Sequence, residues 1–171
     1  MLAQSALADP RAEVRSLYDA LDLGGVVRIM QTEGRAYGAD LVVEMFAGRG
    51  GAAWDAVVAD IYDTDDMETV VLDGLDRQLA DTDLSMMLAF FLSDRGQRII
   101  QLELSAREAL LNDEIEELAE LQLQNMRKGD DPRLAVLTDF IEANDLIKSN
   151  VVGGMNSSFA FYQGLRDGGA F

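Results

Sequence analysis

The chain has 171 residues and a mass of 18.7 kDa, enough for one domain with a sizeable core. Its 31 acidic and 14 basic residues leave a formal net charge of −17, which argues against nucleic-acid binding and docking on anionic lipid, since both need clustered Lys and Arg. Cysteine and histidine are both missing, so disulfides, Cys/His zinc sites and Ser-His-Asp or Cys-His catalysis are excluded in the isolated chain, and carboxylate chemistry survives.

In chain order the signals are helical. Residues 1–8 read as a signal-peptide remnant or a disordered tail, and residues 9–171 as a single helical domain. Ala6-Leu7-Ala8 fits the A-x-A rule for signal-peptide cleavage. The expectation is a gene-encoded hydrophobic stretch upstream of Leu2 and a mature protein that begins near Asp9 in the periplasm. Asp9-Pro10 reads as an N-cap followed by proline at the first helical position. Val14, Leu17, Tyr18 and Leu21 then form one apolar stripe, and Gly24-Gly25 is expected to stop that helix. A longer helix is expected from about Val26 to Phe46, with Ile29, Met30, Tyr37, Leu41 and Met45 as core positions. Gly34 and Gly38 share one face of it, where a neighbouring backbone can come close.

Gly48-Arg49-Gly50-Gly51 reads as a flexible turn, because neither phosphate-loop spacing is present. Trp54, Val57, Val58 and Ile61 begin the next helix, and Met67, Val70, Val71 and Leu75 continue it or open another. The acidic run Asp63-Thr64-Asp65-Asp66 fails the calcium-loop pattern at Glu68 and Gly74. Asp65 and Asp66 instead suit a helix N-terminus, where the macrodipole favours negative charge.

Asp81-Thr82-Asp83 starts a short helix with Leu84, Met87, Leu88 and Phe91 on one side. Ser93 is the expected cap of the following helix, whose stripe is Ile99, Leu102, Ala106 and Leu110, with Glu103 and Arg107 as an i, i+4 ion pair. Asn112-Asp113-Glu114 opens another helix, with Glu116 three residues beyond Asp113 in capping-box position, a basic end at Arg127-Lys128 and a stop at Gly129. Its acids Glu114, Glu116, Glu117 and Glu120 form a solvated face rather than a metal cage. Asp131-Pro132 launches Leu134, Leu137, Phe140 and Ile141. The last segment, Asn150 to Tyr162, carries no charge and many small residues, and a helix polar on no side is expected to be buried. Asn156-Ser157-Ser158 fits the N-glycosylation pattern, a short match with little information, and Gly168-Gly169 is expected to leave the tail loose.

These elements predict an all-α fold, a single-domain orthogonal bundle of about eight helices. Heptads are not sustained, no internal repeat occurs, and the longest apolar run, Met86 to Leu92, is far short of a membrane span.

From Leu84 to about Leu104 the sequence resembles a known family. Met87-Leu88-Ala89-Phe90-Phe91-Leu92-Ser93-Asp94-Arg95-Gly96-Gln97-Arg98-Ile99 is similar to the signature of the bacterial domain-of-unknown-function 2059 family. In that signature a helix rich in leucine and aromatics ends in a Phe-Tyr-x-Ser-Pro-x-Gly-x-Lys type of turn. Here Phe91 stands at the tyrosine, Asp94 at the proline and Arg98 at the lysine. Aspartate suits a first helical turn as proline does, and Gly96 is expected to let two helices cross closely. The resemblance implies a helical, usually exported bacterial protein, and it supplies no activity, cofactor or catalytic residue.

Three functions fit this inventory. The first is a non-enzymatic interaction module of the cell envelope, with an unknown protein partner or a homodimer formed through the uncharged C-terminal segment. The second is a small-molecule or lipid carrier lined by methionine and phenylalanine. The third is a carboxylate- or Mg²⁺-dependent enzyme using Glu142 and Asp145, with Asn144 between them. The expected inventory holds no catalytic residue, no metal ligand set and no cofactor. Partner or ligand candidates are Arg95 and Arg98, which are expected to pair with the chain's own acids, together with Glu142, Asn144, Asp145, Asn156, Phe161 and Tyr162.

Overall fold

The computed structural model describes residues 10–45 and 47–168, which form nine helices and no strand. The cleavage-like Ala6-Leu7-Ala8, the cap at Asp9, the expected helix end at Phe46 and the tail glycine at Gly169 lie outside the described residues. The chain divides into two compact units, Met1–Ile115 and Glu116–Phe171. The division falls inside a helix, so no linker or composition shift announces it.

Unit 1 is organised around α1 (Pro10–Ala20). Its stripe buries Val14, Leu17 and Tyr18, as their spacing predicts. Val14 and Leu17 cluster with Leu84, and Leu21, Leu75, Leu79, Leu88 and Phe91 close around them. The outer side of α1 reaches α4 (Thr64–Leu79) through charge. Arg15 pairs with Glu68 at 2.5 Å and lies 5.1 Å from the centre of the Tyr18 ring, and Arg11 meets Asp76 at 3.2 Å. Such exposed pairs add little stability and mainly fix how the two helices are rotated. Burial pushes the Tyr18 phenol above its ordinary value.

Gly24 and Gly25 do not stop a helix. They lie in the first turn of α2 (Leu23–Glu44), and Asp22 in the left-handed region at φ 45° caps it, accepting a hydrogen bond from the Gly25 N–H at 3.0 Å. Ile29 and Leu41 are buried as expected, whereas Met30, Tyr37 and Met45 are exposed. The reason is the Gly34–Gly38 face. A Cβ on Gly34 would enter the Tyr62 ring, and one on Gly38 would lie 2.8 Å from the Val58 methyls. The glycines therefore admit side chains rather than a backbone, and the larger residues of α2 are turned to its flank. The Trp54 indole of α3 (Gly51–Ile61) donates to the Gly38 carbonyl at 2.8 Å, and the Gln31 amide of α2 donates to the Tyr62 carbonyl at 2.7 Å. Gly48 and Gly51 hold positive φ at 77° and 73°, so the glycine-rich loop is a turn built on backbone geometry.

α4 starts where its acids predict. Asp63 accepts hydrogen bonds from the Asp65 and Asp66 N–H groups at 2.9 and 3.2 Å. α5 (Ser85–Phe91) and α6 (Asp94–Ala109) meet at the Ser93 cap, whose hydroxyl accepts from the Gly96 N–H at 3.2 Å. Gly96 is buried, and a Cβ there would strike the Phe90 carbonyl oxygen and lie 2.8 Å from Phe91 Cα. The close helix crossing expected at this glycine is present. Gln97 locks the same corner, donating from its amide to the Ala20 carbonyl at 2.8 Å and to the Phe91 carbonyl at 2.7 Å.

That corner also overturns the stripe expected of α6. With Gly96 and Gln97 held inward, Ile100 and Leu104 follow them, and Ile99, Leu102 and Leu110 are exposed. Arg107 reaches Glu33 of α2 at 3.6 Å instead of pairing with Glu103.

Candidate interaction surface

Unit 2 comprises the rest of α7 (Asp113–Lys128), then α8 (Arg133–Ala143) and α9 (Leu146–Asp167). Side-chain caps account for the starts of α7 and α8, with Asn112 rather than the expected Asp113 capping α7. Asn112 accepts from the Glu114 N–H at 3.0 Å, and the stop of α7 is made at Asp130, with φ 49°, one residue beyond the expected glycine. Asp131 accepts from the Arg133 N–H at 2.9 Å, and its carboxylate also accepts from the Arg133 guanidinium, from Nη2 at 2.6 Å and from Nε at 3.0 and 3.2 Å. That side-chain pairing, reinforced by the backbone bond, lowers the Asp131 pKa to about 2. Asp145 opens α9 in the left-handed region at φ 50°.

These helices form, yet none of the described residues in unit 2 is buried. α8 and α9 pack on each other, and Leu134, Ile141, Leu146, Phe161 and Leu165 are half-buried. The expectation that the uncharged C-terminal helix is buried is not met within this chain. Two helices in contact cover one side of each, which leaves a neighbouring side of α9 in solvent.

That side carries the larger side chains. Ile147, Val151, Met155, Phe159 and Tyr162 recur at intervals of four, four, four and three residues, one face of a 3.6-residue helix. Each is between 55% and 68% exposed. A surface helix ordinarily turns such a stripe inward, toward the core of its own chain. From Ser149 to Leu165 α9 has no charge, and its ends are neutralised locally. Lys148 pairs with Asp145 at 3.3 Å and Arg166 with Asp167 at 2.8 Å.

The candidate residues named from sequence fall in three groups. Asn156 and Tyr162 are exposed on α9, where Tyr162 belongs to the apolar face and meets Phe161 edge-on at 5.9 Å. Glu142, Asn144 and Asp145 lie at the α8–α9 corner, where the Asn144 amide donates to the Phe140 carbonyl at 2.8 Å and Asp145 is engaged by Lys148. Among the described residues no three acids gather closely enough to hold a metal ion. Arg95 and Arg98 are exposed in the first turn of α6, and neither forms an ion pair among the described residues, contrary to the internal pairing expected of them. The glycosylation-like Asn156-Ser157-Ser158 sits within a helix rather than a loop. Sequence reasoning missed Ile147, Val151, Met155 and Phe159 as one surface, although their four-residue period was there to be read.

Unit 1 offers shallow grooves instead. One of about 260 Å³ is lined by Arg35, Gly38, Trp54 and Val58, and another of about 230 Å³ by Leu21, Val26, Ile100 and Leu104. Both are open to solvent and below the range of roughly 300–1,000 Å³ usual for small-molecule sites.

Residues 65–123 match the family described as "Uncharacterized protein conserved in bacteria (DUF2059)". The match extends the resemblance of residues 84–104 in both directions, from the first turn of α4 into α7. The matched segment includes the Ser93–Gly96–Gln97 corner and excludes α8 and α9. No curated protein and no solved structure matches the chain.

Proposed function

We propose that this chain is a non-enzymatic interaction module of the bacterial cell envelope, in which α9 presents its apolar face to a protein partner. The observation that carries this reading is the exposed apolar stripe from Ile147 to Tyr162, on a helix that is uncharged from Ser149 to Leu165 and packs on α8 through other residues. Burial of apolar area is the main driving force of protein association, and this helix withholds it from folding. The family match supports the bacterial setting, and Ala6-Leu7-Ala8 supports export. Among the described residues no helix is long and apolar enough to cross a membrane.

The test is photo-crosslinking in the native host. With p-benzoyl-phenylalanine at Phe159, irradiation of intact cells is expected to give a discrete protein adduct in the periplasmic fraction. The same probe at Asp139, on the surface of α8, serves as the reference. Absence of any Phe159 adduct above that reference would refute the reading.

A further inference from the structure

Taking the docking role of unit 2 as its basis, we infer that the α9 face is covered by a second copy of this chain, in an antiparallel pair with Met155 on the two-fold axis. A two-fold interface requires that residue i of one copy meet residue j of the other while j meets i. The centre of the stripe has this symmetry when reversed. Val151 falls opposite Phe159 and Met155 opposite itself, while Ile147 lies one position from the level of Tyr162, so each β-branched residue sits beside an aromatic one. The antiparallel arrangement also sets the two helix dipoles head to tail.

Charge points to the same partner. Two copies of a chain with net charge −17 repel each other over most surfaces. Elsewhere in unit 2 the exposed apolar residues are interleaved with acids, as Leu118 and Leu121 are with Glu117 and Glu120. Along α9 no charge occurs from Ser149 to Leu165, a length of about 25 Å at 1.5 Å per residue. Beyond that stretch the antiparallel register brings Arg166 of one copy within one position of the level of Asp145 of the other, once at each end, and both side chains are about two-thirds exposed. The area is also sufficient. With side chains of order 200 Å², the exposed fractions of the five stripe residues sum to roughly 600–700 Å² per copy. The pair then buries about 1,200–1,400 Å², within the range of specific interfaces.

Sedimentation velocity on the full chain at about 50 μM, where a micromolar dimer is populated, is expected to show a dimer. Val151→Asp or Phe159→Asp, with helicity retained by circular dichroism, should weaken it about 100-fold or more, because each buries an unpaired carboxylate. The chain has no cysteine, so Met155→Cys gives a single reporter. Oxidation should link this variant into a covalent dimer and leave Asn156→Cys a monomer. Asp145→Arg and Arg166→Asp should each weaken the dimer, and the two together should restore it. A wild-type monomer at this concentration, or cross-linking no greater at 155 than at 156, would overturn the inference. A monomer whose Phe159 probe still captures a different protein in cells would overturn the self-pairing alone. A monomer with no adduct would remove the docking role as well.

Discussion

Replacing Gly96 by alanine tests how tightly the α5–α6 corner is built. The added Cβ would meet backbone only: the Phe90 carbonyl oxygen, Phe91 Cα at 2.8 Å and Phe90 C at 2.9 Å. No rotamer change relieves contacts with backbone, so the crossing must open by on the order of 1 Å. Overpacking of this kind costs about 1–3 kcal/mol, and the upper end applies where nothing flexible can yield. The same movement strains the Ser93 cap, a feature that contributes about 1 kcal/mol. Alanine returns about 1 kcal/mol of helix propensity. The net expectation is a loss of about 2–3 kcal/mol, or roughly 10 °C in Tm. Trp54 is the only tryptophan and lies in unit 1, so its fluorescence during urea unfolding reports on this unit. Gly74→Ala in α4 is the control, because a Cβ there meets nothing within 4 Å, and it should gain about 0.5–1 kcal/mol. A Gly96→Ala protein as stable as the wild type would refute the close crossing.

Two further outcomes follow from individual hydrogen bonds. Gln97→Ala leaves the Ala20 and Phe91 carbonyls without their shared donor and should cost about 1–3 kcal/mol, whereas the exposed Gln101→Ala should stay within about 0.5 kcal/mol by the same urea assay. Equal effects would show that Gln97 does not hold the corner. Asp131 should titrate near pH 2 by carboxyl carbon NMR, because the Arg133 side chain and backbone donate to its charged form. A depressed carboxylate favours the folded state above the ordinary value near 4, and that contribution fades as pH falls from about 4 toward 2. Arg133→Ala should raise the midpoint, and a wild-type midpoint near 4 would contradict the pairing.

Much of the helical framework was legible because its signals are local. Asp63, Ser93 and Asn112 cap helices where polar side chains stand just ahead of apolar periods, and Val14, Leu17 and Tyr18 face inward as their spacing requires. The failures arise where tertiary contacts choose between faces of equal merit. In α6 two apolar rows compete, and the choice is made by a glycine and a glutamine that hydropathy does not weigh. In α2 two glycines take the packing side and send Met30 and Tyr37 outward. α9 presents the deepest ambiguity. An apolar period of 3.6 residues specifies that a face will be covered but not whether the cover comes from the same chain. The sequence therefore reads as core where the structure shows an open surface.

If protein covers the α9 face in the cell, Met155 is shielded there from small oxidants. Met155 and Met86 provide an internal comparison, since they are 68% and 81% exposed in the isolated chain. Oxidation of methionine by peroxide follows exposure. Intact cells of the native host would be pulsed with hydrogen peroxide and sulfoxide measured at both positions by peptide mass spectrometry. A covered face predicts oxidation of Met155 at least about fivefold slower than that of Met86. Rates that agree within about twofold would contradict this coverage, because they would place Met155 in open solvent where the protein works.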